Sequence, residues 1–269
     1  MQKLESIAER IRRDFDARTA ARDKALATAR QLTRACSLAI RAAHRLETDT
    51  STRLSAGTST RLSAGTSTRL SAGTSTRLSA GTSTRLSAGE MAGQLSEARS
   101  LADALRAELQ GYPDLFHAGY TQDALKEFVE ANATCALIQN QSLPTPEALG
   151  VGGATYLNGL AEVVGELRRR TLDILRHGYS QKAERLLGLM DDIYSVLVSM
   201  DYPDAITSGL RRQTDVARSI IEKTRGDITF SLRGEHLEQA IGKLIVQLNG
   251  EQARVGKEAG AFVAQGEDD

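Results

Sequence analysis

The sequence predicts an all-α chain of about seven helices. Three observations carry that expectation. Apolar residues recur three and four positions apart along most of the chain, and no period-two strand pattern appears. Only 4 of the 269 residues are Pro, and aromatic residues make up 4% with no Trp. Such a composition suits long helices packed by Leu, Ile, Val and Ala.

Residues 3–47 read as the first helix. Leu4, Ile7, Ile11, Phe15, Leu26, Ala29, Cys36, Ile40 and Ala43 fall on one face. Arg18 and Arg22 interrupt that face, so its seam is weaker in the middle. The character then changes. TSTRLSAG occurs five times without substitution, from Thr50 to Gly89. In a helix its Leu would drift about 80° per copy, so no apolar stripe forms. Each copy also carries a Gly and a Thr-Ser-Thr run, which are poor in helix interiors. A flexible low-complexity insert is expected over 50–89, between the first two helices.

Helical spacing resumes at Met91, Leu95, Ala98, Ala102, Leu105 and Leu109, and Gly111–Pro113 stop it. A short helix is expected over 113–119, and another from about Asp123 to about Gln141. LPTPEALGVGG is a loop. Tyr156, Leu160, Val163, Val164, Leu167, Thr171 and Ile174 share a face of the next helix, which Gly178 ends. Ser180 caps a helix to Met200. Pro203 separates it from a helix over 204–232, and a last helix covers 235–249. The domain organisation is thus one helical domain over 1–249, interrupted by the insert, with a frayed tail over 250–269.

Lys+Arg and Asp+Glu both number 34, so no global basicity points to nucleic acid, and any anion-binding surface is local. No apolar run approaches the ~18 residues of a membrane span. The charged N-terminus lacks the apolar core of a secretion signal, and a cytoplasmic address is expected. Cys36 and Cys135 sit in apolar helical patterns and are expected as buried thiols.

The stretch LKEFVEAN (125–132) places Glu127 and Glu130 one turn apart on one side of a helix, where like charges repel by a few tenths of a kcal/mol. Followed onward, that stripe meets Leu137 and Ile138, whereas a plain solvated face would stay polar. The next long helix carries Glu162 and Glu166 at i,i+4, away from its apolar face. Two helices that each present a carboxylate pair are what a bundle needs to hold a hard divalent cation such as Mg²⁺. The alternative is two solvated faces paired with Lys126, Arg169 and Arg170. Di-iron chemistry asks for Glu-x-x-His pairs. None of His44, His117, His177 and His236 lies three residues after a Glu. The run Arg168–Arg170 is the local candidate for phosphate contacts, with Tyr112, Phe116, Tyr120 and Phe128 as aromatic neighbours to stack a base or fill the core.

The stretches LKEFVEA (125–131), YLNGLAEVVGELRRRTLDIL (156–175) and ARSIIEKTRGDITFSLRG (217–234) resemble the translin family, and its Trax branch more than translin itself. The resemblance covers about 90–248 and, more weakly, 15–46. It implies a seven-helix bundle, assembly into hollow octameric shells, and binding of single-stranded RNA or DNA. The Trax branch implies a Mg²⁺-dependent (or Mn²⁺-dependent) endoribonuclease whose acidic residues fall on Glu127, Glu130, Glu162 and Glu166 as catalytic and metal-holding groups. Glu162 stands where that family typically has Asp. The expectation is therefore a metal-dependent endoribonuclease in a homo-oligomer, or one joined by a paralogous translin subunit. A non-catalytic single-strand-binding shell is the alternative.

Overall fold

The computed structural model describes residues 2–59 and 72–264, with side chains described for 3–46 and 87–248. Among the described residues every regular element is a helix. The long helices are α1 (Gln2–Ser59), α2 (Ala72–Glu108), α4 (Gly119–Ile138), α6 (Gly153–Leu175), α7 (Gln181–Ser199) and α9 (Leu210–Ala264). Single turns α3 (Pro113–Phe116), α5 (Pro146–Leu149) and α8 (Asp204–Thr207) lie between them. No helix among the described residues is long and apolar enough to cross a membrane.

The all-α expectation holds, with different boundaries. α1 continues into the repeat as far as Ser59, and α2 begins at Ala72. The ends of the 50–89 stretch are therefore helical, while 60–71 lie outside the described residues. Extending an existing helix fixes one residue per hydrogen bond gained, so a formed helix can run into a sequence that would not nucleate one. The helices expected over 204–232 and 235–249 are a single helix, α9, which passes through Gly234 and past residue 249 to Ala264. A Gly in a helix interior costs about 1 kcal/mol, too little to break a long helix. The real break precedes α9, where Ser208 (φ 55°) and Gly209 (φ 81°) take left-handed conformations.

α2 runs antiparallel to α1. Lys24 and Thr28 meet Glu108, and Arg45 meets Glu90 at 2.8 Å. Their shared core contains Leu32, Cys36, Leu105, Leu109 and, from α4, Leu125, Phe128 and Val129. A second core joins α6, α7 and α9 through Leu167, Leu186, Met190, Ile193, Leu210 and Ile228. α4 and α6 stand between these two cores. Buried Asn158 ties α6 to α8 by donating to the Thr207 carbonyl at 2.8 Å.

The approach of α4 to α6 is set by Gly159. A Cβ there would lie 2.7 Å from Val129 Cβ and 2.9 Å from the Lys126 carbonyl oxygen. Only glycine lets the backbones come this near. Gly159→Ala is expected to destabilise the chain by about 1–3 kcal/mol. Val129→Ala added to it should recover little, because the clash with the Lys126 backbone remains. Denaturant melts of both variants check this. Replacing residues 51–84 by a short Gly/Ser loop should leave the melting temperature nearly unchanged, since loop length enters stability only as about (3/2)RT ln n. Calorimetry of that variant is the measurement, and loss of a cooperative transition would show that the repeat packs.

Candidate active site

All four glutamates singled out by spacing are half-buried. Burial, then the fields of Glu162, Glu127 and Glu166, push Glu130 from its ordinary 4.5 up to about 8. Glu127 is raised by burial first and then by Glu162, with Asp123 and Glu166 adding and Lys126 opposing. The four carboxylates therefore share one electrostatic site across the α4–α6 contact. Cys36 of α1 borders it. Burial, then Glu127 and Glu130, push its thiol far up, while burial alone takes Cys135 up to about 12. Both thiols are buried and free. They stay protonated and unreactive at neutral pH.

The two pairs differ in their partners. Among the described residues, neither Glu127 nor Glu130 has an ion-pair partner. The α6 pair is neutralised in place. Lys126 Nζ reaches Glu162 Oε1 at 2.9 Å and Asp123 Oδ1 at 3.5 Å. Against desolvation, which would lower it, the hydrogen bond and charge of Glu162 hold the Lys126 ammonium above its usual range. His44 of α1 donates from Nε2 to Glu166 Oε2 at 2.6 Å. That hydrogen bond outweighs burial and, with the nearby charges of His44 and Arg169, lowers Glu166. His44 is nearly buried, and its Nδ1 has no hydrogen-bond partner. Sequence spacing did not reveal His44, which is 122 residues from Glu166 and carries no local motif.

The Arg168–Arg170 run does not form one phosphate-binding surface, which corrects the expectation from sequence. Arg168 is tied to α9, at 2.9 Å from both Thr224 Oγ1 and Asp227 Oδ2. Arg170 is 2% exposed and donates to the His44 carbonyl at 3.2 Å. Arg169 alone presents an exposed guanidinium, 3.7 Å from Glu166. Successive helical residues turn about 100° apart, so three in a row cannot share a face. Of the aromatic neighbours one is a core residue and three are partly buried against that core. Phe128 is fully buried with the Arg99 guanidinium 5.1 Å from its ring, and Tyr112, Phe116 and Tyr120 pack on the same cluster.

No family model matches the chain. A stretch of 134 residues, 49% of the chain, is 32% identical to an uncharacterized protein of Methanocaldococcus jannaschii and spans 60% of that protein. The fold is that of AfC3PO, solved alone and in a complex with duplex RNA. Both structures align with a TM-score of 0.63 at 28% identity, covering 84% of this chain and 97% of the other. The resemblance to the translin family read from the sequence is thus matched by a likeness in fold to these C3PO structures. Apo-NeC3PO, 18% identical with a TM-score of 0.61, shares the fold over 83% of this chain and 96% of its own.

The α4–α6 site offers carboxylate oxygens and no ionised thiol, a donor set that fits a hard divalent cation. Among the described residues, no three acidic, His or Cys side chains converge on one point as they stand. The reason is visible in the contacts, because Lys126 and His44 draw Glu162 and Glu166 onto other partners.

Because Glu130 is raised, the folded chain holds a proton that the unfolded chain has lost between about pH 4.5 and 8. Its contribution to stability is present below that window and is lost as pH rises through it. Glu130→Gln carries no such proton. In metal-free buffer the variant is expected to gain on the parent by on the order of 3 kcal/mol between about pH 5 and 8. Denaturant melts at the two ends of that range check the slope, and a pH-independent difference would mean a solvated carboxylate.

Proposed function

We propose that the chain is a Trax-like, metal-dependent endoribonuclease that cleaves single-stranded RNA within an oligomer. The observation that carries this reading is the carboxylate site. Two pairs from neighbouring helices share one field, and the α4 pair has no contacting cation among the described residues. An uncompensated, half-buried carboxylate pair destabilises the fold and calls for a cation. The likeness to AfC3PO, which was solved with duplex RNA, supports RNA as the substrate class.

Glu127 and Glu130 from α4, with Glu162 and Glu166 from α6, would hold Mg²⁺ or Mn²⁺. Such an ion supplies charge neutralisation and Lewis-acid polarisation at a phosphodiester. The protein groups around it have separable tasks. His44 fixes the orientation of Glu166 and keeps it ionised. The Arg169 guanidinium stands at the exposed edge, where it can meet a backbone phosphate. Burial of the glutamates lowers the local dielectric, which strengthens every charge interaction with the substrate.

Apolar side chains support an oligomer. Leu4, Ile7, Ile11 and Phe15 on α1, and Phe230, Leu237, Ile241 and Leu244 on α9, are exposed in the single chain. Stretches of this kind mark subunit contacts. An octameric shell of like or paralogous subunits, in the cytoplasm, is part of the proposal.

One observation favours a second reading, a non-catalytic RNA- or DNA-binding protein. The α6 carboxylates already have protein partners, so no ready-made ligand set exists among the described residues. Cleavage of a labelled single-stranded RNA with Mg²⁺, and its loss with EDTA, separates the two. Glu130→Gln is expected to lower the cleavage rate at least about 100-fold while leaving RNA binding and its salt dependence in place. Full cleavage by a nuclease-free preparation of that variant would overturn the assignment of catalysis to this site, whereas no Mg²⁺-dependent cleavage by the parent would leave the binding reading.

A further inference from the structure

Lys126 is the one ammonium that enters the carboxylate site among the described residues. It leaves α4 one residue before Glu127 and crosses to α6, where it meets Glu162 at 2.9 Å. Asp123, one turn back on α4, holds it from the other side at 3.5 Å. Its side chain is 21% exposed, so it is largely withdrawn from water. The other groups facing the site are Glu127, Glu130, Glu166, Arg169 and His44, and Arg169 and His44 both contact Glu166. Glu162 thus has Lys126 as its counter-charge, while Glu166 has two partners of its own.

An ammonium and a divalent cation repel, and the repulsion is strong where water is scarce. They compete for the negative charge of the Glu162 carboxylate. We infer that Lys126 is a built-in counter-ion that a divalent cation must displace from Glu162, so that the chain itself sets the threshold at which the site takes up metal. The inference rests on the metal reading above and deepens it. It also explains why two half-buried carboxylate pairs coexist in the metal-free fold. The ammonium neutralises the Glu162 carboxylate until a stronger cation arrives. A salt bridge that only fastened α4 to α6 would have a different signature. Its removal would weaken the helix contact and would never tighten metal binding.

The test uses the full chain, purified metal-free and titrated with Mn²⁺ by calorimetry. Lys126→Met keeps the length of the side chain and removes the charge. It is expected to bind Mn²⁺ about five-fold or more tightly than the parent, as the competing state is removed. Lys126→Arg keeps the charge and should bind no more tightly than the parent. Without metal, Lys126→Met should melt below the parent, and saturating Mn²⁺ should close the gap. Equal or weaker Mn²⁺ binding by Lys126→Met with parental helicity would overturn the inference while leaving the metal site standing. If that variant does not keep its helicity, Lys126→Gln is read by the same criteria. No Mn²⁺ uptake by the parent or any variant would overturn the metal reading and this inference together.

Discussion

The near contact of α4 with α6 at Gly159 is the constraint on which the site depends. With no side chain at that position, Val129 and the Lys126 carbonyl can press against the α6 backbone. The next turns of both helices are then held at short range. Glu127 and Glu130 enter the field of Glu162 and Glu166. Lys126 can span the gap to Glu162, and Thr155 can donate to Gln122 at 2.6 Å one turn earlier. A methyl group at 159 would force the helices apart along this whole seam. The site would lose both its shared field and the bridge that moderates it.

α1 closes the third side. His44 gives its side chain to Glu166, and its carbonyl accepts from Arg170, four residues further along α6. The two contacts lie a turn apart on the same face of α6, so they fix both the distance and the rotation of α1 against it. A buried guanidinium such as Arg170 is tolerable only with acceptors around it. Its place in the structure is therefore to hold α1 beside the site rather than to meet a substrate.

Much of this was legible in the sequence, and the limits have physical causes. The helical class, the apolar seams and the two carboxylate pairs follow from three-and-four spacing, which reports which residues share a face. The partners of those carboxylates do not follow. His44 and Glu166 are brought together only by the packing of α1 on α6, and nothing local to His44 announces it. Lys126 was legible as a cation near the glutamates, but spacing could not say that it turns inward. The Arg168–Arg170 run misled because composition ignores the 100° step between neighbours on a helix. The boundaries of α1, α2 and α9 were misjudged for a different reason. Gly and Thr report a local preference, whereas a long helix that is already formed extends at small cost per residue.

The placement of the site explains how a fold tolerates it. One core lies toward α1 and α2 and the other toward α7 and α9, and the carboxylates occupy the seam between them. Repulsion there acts on the α4–α6 contact, which Ala133 and Leu137 of α4 brace by packing into the α6–α7–α9 core. Both carboxylates that are raised in the seam belong to the α4 pair, the pair without ion-pair partners among the described residues. That asymmetry has a direction. Lys126 and Arg169 form ion pairs with the α6 carboxylates and His44 hydrogen-bonds Glu166, so the carboxylates left without an ion-pair partner among the described residues are Glu127 and Glu130. A cation entering the seam is drawn first toward α4. It must then compete for Glu162 with an ammonium carried by α4 itself. The same helix thus supplies both the attraction for a metal and the resistance to it, and the balance between them is set by how far Gly159 lets α6 approach.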